Sequence, residues 1–140
     1  MALVILAKPV RNVRPATLAP VGYLDGLRAS GALAESRFAL VGYGMNEQFQ
    51  LTGDRRIADA EFQTLLDAYL VTSANANMGN GGVCFNDSGG PTFHESDGTE
   101  YLVATHIFGF GDCGEGTNGD YRVDTESARA FIQSVLAAYP

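Results

Sequence analysis

The chain reads as an all-β protein: a small β-barrel closed by a single C-terminal helix. Three observations predict this. Short apolar runs rich in β-branched and aromatic residues are separated by turns containing Gly, Asn and Asp. Glycine is abundant, 17 of 140 residues, as suits a turn-rich β fold. A long segment with helical periodicity stands at the very end, and strands followed by one closing helix suit a barrel.

Taken in order, residues 2–6 (Ala-Leu-Val-Ile-Leu) read as a short buried strand that stops before Pro9. Residues 11–20 contain Pro15 and Pro20 and have linker character. A helical turn or two fits residues 23–32. Residues 37–43 form a strand ending at Gly44, residues 47–56 are polar and read as a loop, and residues 69–72 form a second strand. The Asn- and Gly-rich residues 75–82 make a further loop. Strands at 91–95 and 101–108 flank Ser96-Asp97-Gly98-Thr99, where Asp-Gly predicts a tight hairpin turn. In the last segment, residues 124–138, Ala128, Phe131, Ile132, Val135 and Leu136 recur at helical spacing, and Thr125 or Asp124 can cap the helix.

A chain of 140 residues can bury one real core but is short for two domains. Its net charge of -7, with Lys8 the single lysine, argues against nucleic acid or an anionic membrane as partner. The apolar start, residues 1–7, lacks a basic leader and is too short for a signal core, and no run is long enough to cross a bilayer. Cys84 and Cys113 can be free thiols or a disulfide. No Cys/His cluster suggests a metal, and no cofactor is implied. Glu95, Asp97 and Glu100 read as a solvated hairpin tip, while Asp112, Glu115 and Asp120 lack the regular spacing of a calcium loop.

The chemistry lies in Gly82-Val83-Cys84-Phe85-Asn86-Asp87-Ser88-Gly89-Gly90-Pro91. This is a poor strand and a worse helix. Its glycines open torsions closed to other residues and clear space for an approaching group. A serine hydroxyl on such a turn, beside free backbone N–H groups, is what acyl transfer needs. Asp-Ser-Gly-Gly is also ordinary surface-turn composition, so the surrounding residues decide.

Those residues resemble the trypsin-like (chymotrypsin-fold) serine proteases. The family's Cys-x-Gly-Asp-Ser-Gly-Gly-Pro motif reads here as Cys84-Phe85-Asn86-Asp87-Ser88-Gly89-Gly90-Pro91. Downstream, Phe108-Gly109-Phe110-Gly111-Asp112-Cys113 and Gly119-Asp120-Tyr121-Arg122-Val123 follow in the family's order, before a C-terminal helix. The details resemble the bacterial secreted branch. The resemblance implies a C-terminal six-stranded antiparallel β-barrel with its closing α-helix over residues 21–140. Residues 1–20 would then be the last strand of a missing first barrel and the linker.

By the same resemblance, Ser88 is the nucleophile, the N–H groups of Asn86 and Ser88 form the oxyanion hole, and Asp87 organises the site. Gly82, Val83, Phe85, Phe108, Gly109 and Gly119 would line a neutral, open specificity pocket suited to an apolar or aromatic side chain. Cys84 and Cys113 would form a disulfide bracing that pocket, a closure contributing about 3–4 kcal/mol on the chain-entropy estimate. Asn86 stands where the family prefers Gly, and Asn is the residue most tolerant of positive φ after glycine. In the family, Asp87 pairs with an inserted amino terminus; without that ammonium it needs other donors.

No Thr-Ala-Ala-His-Cys type motif supplies the family's base. The run at residues 2–6 resembles the strand that follows the family's aspartate, which would fall one position before Met1. His94 and His106 sit in no base motif and read as core or pocket-lining histidines. The expectation is therefore a serine endopeptidase present as its nucleophile-bearing half, nearly inactive alone. Its partners would be a peptide or protein substrate and the N-terminal barrel of the same protein, and the full-length protein would be secreted. The alternative from another class is a catalytically inactive, protease-derived binding module.

Overall fold

Alternation of inward and outward side chains builds the strands. In β2 (Arg37–Gly42), Phe38 and Leu40 point inward and are buried; in β4 (Tyr69–Ser73), Leu70 and Thr72 do the same. The remaining strands are β1 (Thr17–Leu18), β3 (Arg56–Leu65), β5 (Pro91–Ser96), β6 (Thr99–Phe110) and β7 (Thr117–Arg122). These elements come from a computed structural model, which describes residues 1–111, 113 and 115–139. Asp112, weighed above as part of a calcium loop, lies outside the described residues.

The strands run β6-β5-β2-β3-β4-β7, and β7 pairs back onto β6, so the six-stranded antiparallel barrel is closed. Closure depends on the length of β6. Its first half pairs with β5 and its second half, from Ala104 to Phe110, pairs with β7. The edge that β7 leaves free is taken by β1, which lies parallel with Thr17 opposite Tyr101 and Leu18 opposite Leu102. Every barrel strand thus has a strand partner on both sides over part of its length, which limits edge-to-edge association. Phe38, Leu40, Ala60, Leu65, Leu70, Val103 and Ala104 fill the interior, and Ala19, Leu24 and Leu33 extend that core beyond the strands.

Most expected elements are present. The Asp97-Gly98 turn has positive φ at both residues, 51° and 73°, the conformation that matches a twisted hairpin. Helix α1 (Tyr23–Ser30) ends in a left-handed Gly31. Helix α2 (Glu126–Ala138) is capped by Thr125, whose hydroxyl accepts from the Ala128 N–H. Ala128 and Ile132 are buried beneath it, whereas Phe131 and Leu136 of the same apolar stripe stay exposed.

Two expectations change. Residues 2–6 carry no strand and lie exposed, with Val4 84% and Leu6 59% accessible. A strand exists only by pairing, and among the described residues none lies alongside them. Conversely, β3 was not foreseen. Its outward charges, Asp59 and Glu61, and Arg56 at the start of its inward row mask the apolar signal, and Arg37 of β2 pairs with the first two, at 2.6 Å to Asp59 and 2.7 Å to Glu61.

Polar groups tie the helices to the barrel. Arg122 is 3% exposed; its Nε donates to Asp124 at 2.9 Å and its Nη2 to Asp25 of α1 at 2.5 Å. Asp124 also accepts from the Leu24 N–H at 2.8 Å, so it anchors α1 rather than capping α2. The bond to Arg122 holds the Asp25 carboxyl below the usual carboxylate range. His94 is a core histidine, bonded through Nδ1 to the Tyr23 hydroxyl at 2.8 Å and through Nε2 to Ser36 Oγ at 3.2 Å. Burial pushes its pKa down.

Two outcomes follow from these buried groups. Arg122→Met leaves Asp124 buried without its counter-charge and should cost about 3–5 kcal/mol in urea unfolding. Because folded His94 resists protonation, the unfolded chain takes up the proton first as pH falls. The stability that neutral His94 contributes is thus complete above about pH 6.5 and drains away below it. His94→Gln should flatten the stability loss measured between about pH 7 and pH 5; an unchanged slope would refute the assignment.

Candidate active site

The residues between the Asn-rich loop and β5 form a compact turn held from several sides. The Asp87 N–H donates to the Cys84 carbonyl at 3.1 Å and the Gly90 N–H to the Asp87 carbonyl at 2.8 Å. Beyond the serine, the Gly89 N–H donates to the His106 carbonyl at 2.9 Å, and the His106 N–H to the Gly90 carbonyl at 2.8 Å. Strand β6 thus grips the far side of the turn. Asn86 adopts φ 72°, the left-handed conformation that the sequence required of it. Among the described residues, the N–H groups of Asn86 and Ser88 have no hydrogen-bond partner, nor does that of Phe85, while those of Cys84, Asp87 and Gly89 do. Ser88 itself is exposed.

The Asp87 carboxylate is fully engaged by backbone. Its Oδ1 accepts from the Gly44 N–H at 2.7 Å and its Oδ2 from the Cys84 N–H at 2.9 Å. It lies so close to the loop after β2 that a Cβ on Gly44 would fall 2.5 Å from Oδ1, and one on Gly42 would collide with the same carboxylate. Only glycine fits at either position.

Beside Ser88 lies a cavity of about 280 Å³ lined by Val83, Phe85, Asn86, Phe108, Gly109 and the Cys84–Cys113 disulfide, whose Cα atoms are 4.7 Å apart. The Val83 wall is fixed by its N–H, which donates to buried Asn118 at 2.9 Å; Asn118 in turn donates to Thr72 at 3.1 Å. Two expected lining residues lie elsewhere. Gly82 borders a smaller neighbouring cavity of about 80 Å³. The ring of Phe108 lies directly over Gly119, where a Cβ would overlap it, so Gly119 is covered instead of open. A register shift between His106 and Phe108 re-aims this part of β6.

His106 also borders the larger cavity, but its ring is committed. Nδ1 lies 2.9 Å from Asp120 Oδ1 and 3.2 Å from Thr92 Oγ1, and Nε2 lies 3.3 Å from the Val41 carbonyl. Among the described residues no basic side chain is hydrogen-bonded to Ser88. The described residues also contain no group of three or more His, Cys, Asp or Glu able to hold a metal. Sequence reading missed Gly44, Arg56 and Asn118. The run Thr117–Arg122 carried the signal for Asn118, because polar residues at every second position fit a strand with a polar inner face.

No protein-family model matches the chain, and no curated protein sequence matches it either. Solved structures do. A mutant of human heparin binding protein (CAP37) superposes with a TM-score of 0.70 at 20% identity, over 96% of this chain and 55% of that one. The chain therefore spans about half the length of the structure it matches. Together with the closed six-stranded barrel, the extra strand and the C-terminal helix, this defines a chymotrypsin-like barrel.

The left-handed turn makes a direct prediction. Asn86→Ala should lose about 1–2 kcal/mol, the cost of a side chain with no compensating polarity at positive φ. Asn86→Gly should retain parental stability in the same denaturation experiment.

Proposed function

We propose that the chain is the nucleophile-bearing half of a chymotrypsin-fold serine endopeptidase, of the bacterial secreted type that its motifs resemble. Ser88 attacks the scissile carbonyl, and the N–H groups of Asn86 and Ser88 take the charge that develops on its oxygen. Asp87 keeps the turn in shape. One observation carries this reading: Asn86 is held left-handed beside an exposed serine, with the two N–H groups expected to serve as donors left unpaired. A turn that had only to connect two strands would not need that conformation.

Val83, Phe85, Phe108 and Gly109 give the cavity uncharged walls, and Phe108 over Gly119 makes it shallow. It would take an apolar side chain of moderate size. Gly82 and Gly119 stand outside its lining. The base and the acid that orients it come from an N-terminal barrel of the same protein, in keeping with a match over 55% of the neighbouring structure. Peptide cleavage would occur outside the cell, where the disulfide persists. Heparin, which that neighbour's name specifies, does not carry over, because a net charge of -7 repels a polyanion.

The second reading is an inactive binding module using the same cavity. It is favoured by the commitment of both His106 nitrogens, which leaves Ser88 without a hydrogen-bonded base among the described residues. A fluorophosphonate probe separates the two. Its phosphorus bonds to the serine oxygen as fluoride leaves and the hydroxyl proton passes to the base. When the chain is joined to its N-terminal barrel, labelling at Ser88 and its loss in Ser88→Ala support the peptidase; absence of labelling in the joined protein supports the binding module. The chain alone should retain only the share owed to the oxyanion site and binding, about 10³–10⁴ over water in complete enzymes stripped of their triad.

A further inference from the structure

We propose that Arg56 is a positioning residue for the Asn86–Ser88 turn, acting through the Gly44–Met45 peptide, which lies next to the backbone N–H groups that hold Asp87. The functional meaning rests on Ser88 being the nucleophile; the structural argument does not. Register places Arg56 of β3 opposite Gly42 of β2, at the root of the loop beneath the turn. From there its Nη2 donates to the Gly44 carbonyl at 2.5 Å. The N–H of the same peptide unit, that of Met45, donates to the Phe85 carbonyl at 2.8 Å. A cation on the carbonyl polarises the peptide and strengthens the bond its N–H makes.

One residue earlier, the Gly44 N–H meets Asp87 Oδ1. The loop thus reaches the turn at two points, one on either side of Asn86, and Arg56 sets the orientation of the peptide between them. With the Cys84 N–H on Oδ2, both carboxylate oxygens are engaged.

Amide hydrogen exchange on this chain tests the proposal without relying on activity. Arg56→Gln should speed exchange at Gly44, Met45 and Cys84 by about tenfold or more and shift the Asn86 and Ser88 amide resonances, while Leu70 and Val103 in the barrel keep their protection. Arg56→Lys, which keeps the charge, should restore part of the protection. Unchanged exchange at Gly44 and Cys84 in Arg56→Gln would overturn the proposal. So would loss of protection throughout the barrel, or failure to fold, since either assigns Arg56 to general stability. A joined protein that resists the fluorophosphonate while these exchange results hold would remove the nucleophile and leave the cradle standing.

Discussion

The inner face of β7 is a row of buried polar side chains, and much of the molecule is arranged around their partners. Asn118, Asp120 and Arg122 alternate inward along one short strand, where an apolar row is the usual solution. A buried polar group is tolerable only when paired, so each dictates what lies opposite it. Asn118 holds the Val83 N–H and so one wall of the cavity. Asp120 holds His106, whose backbone clasps Gly89 and Gly90. Arg122 gathers Asp124 and Asp25, fixing α1 against the end of the barrel. One strand thereby positions the cavity, the turn and a helix together.

The same accounting explains the shape of the turn. A carboxylate drawn out of water on a tight loop is costly unless donors surround it. Asp87 finds two N–H groups by reaching between Gly42 and Gly44, and the absence of two Cβ atoms makes that approach possible. On either side of Asp87 in sequence, the N–H groups of Asn86 and Ser88 stay unpaired among the described residues. The disulfide braces the cavity's rim, and the long pairing of β6 supplies the floor. The exposed serine therefore sits on a turn hydrogen-bonded to the loop after β2 and to β6.

Much of this was legible in the sequence, though unevenly. The Asp97-Gly98 hairpin, the strands around Phe38 and Leu70, and the Thr125-capped helix announced themselves through local rules of turn, alternation and capping. The polar strand β7 was harder to read, since its inward residues mimic a loop until their partners are known. Residues 2–6 are unpaired in this chain. They have strand composition, but composition cannot supply a neighbour.

Alone, the sequence determined the barrel-and-helix class and the place of Ser88 in a Gly-bounded turn, which are properties of short segments governed by torsional preference and side-chain period; the Cys84–Cys113 pairing and a left-handed Asn86 came from the resemblance. Tertiary structure alone decided that Phe108 covers Gly119, that both nitrogens of His106 are spoken for, and that Asp87 rests on the Gly44 and Cys84 amides under the hold of Arg56. Each of those depends on residues far apart in the chain, such as His106 and Val41 or Asp87 and Gly44. Only closure of the barrel brings them within hydrogen-bond range.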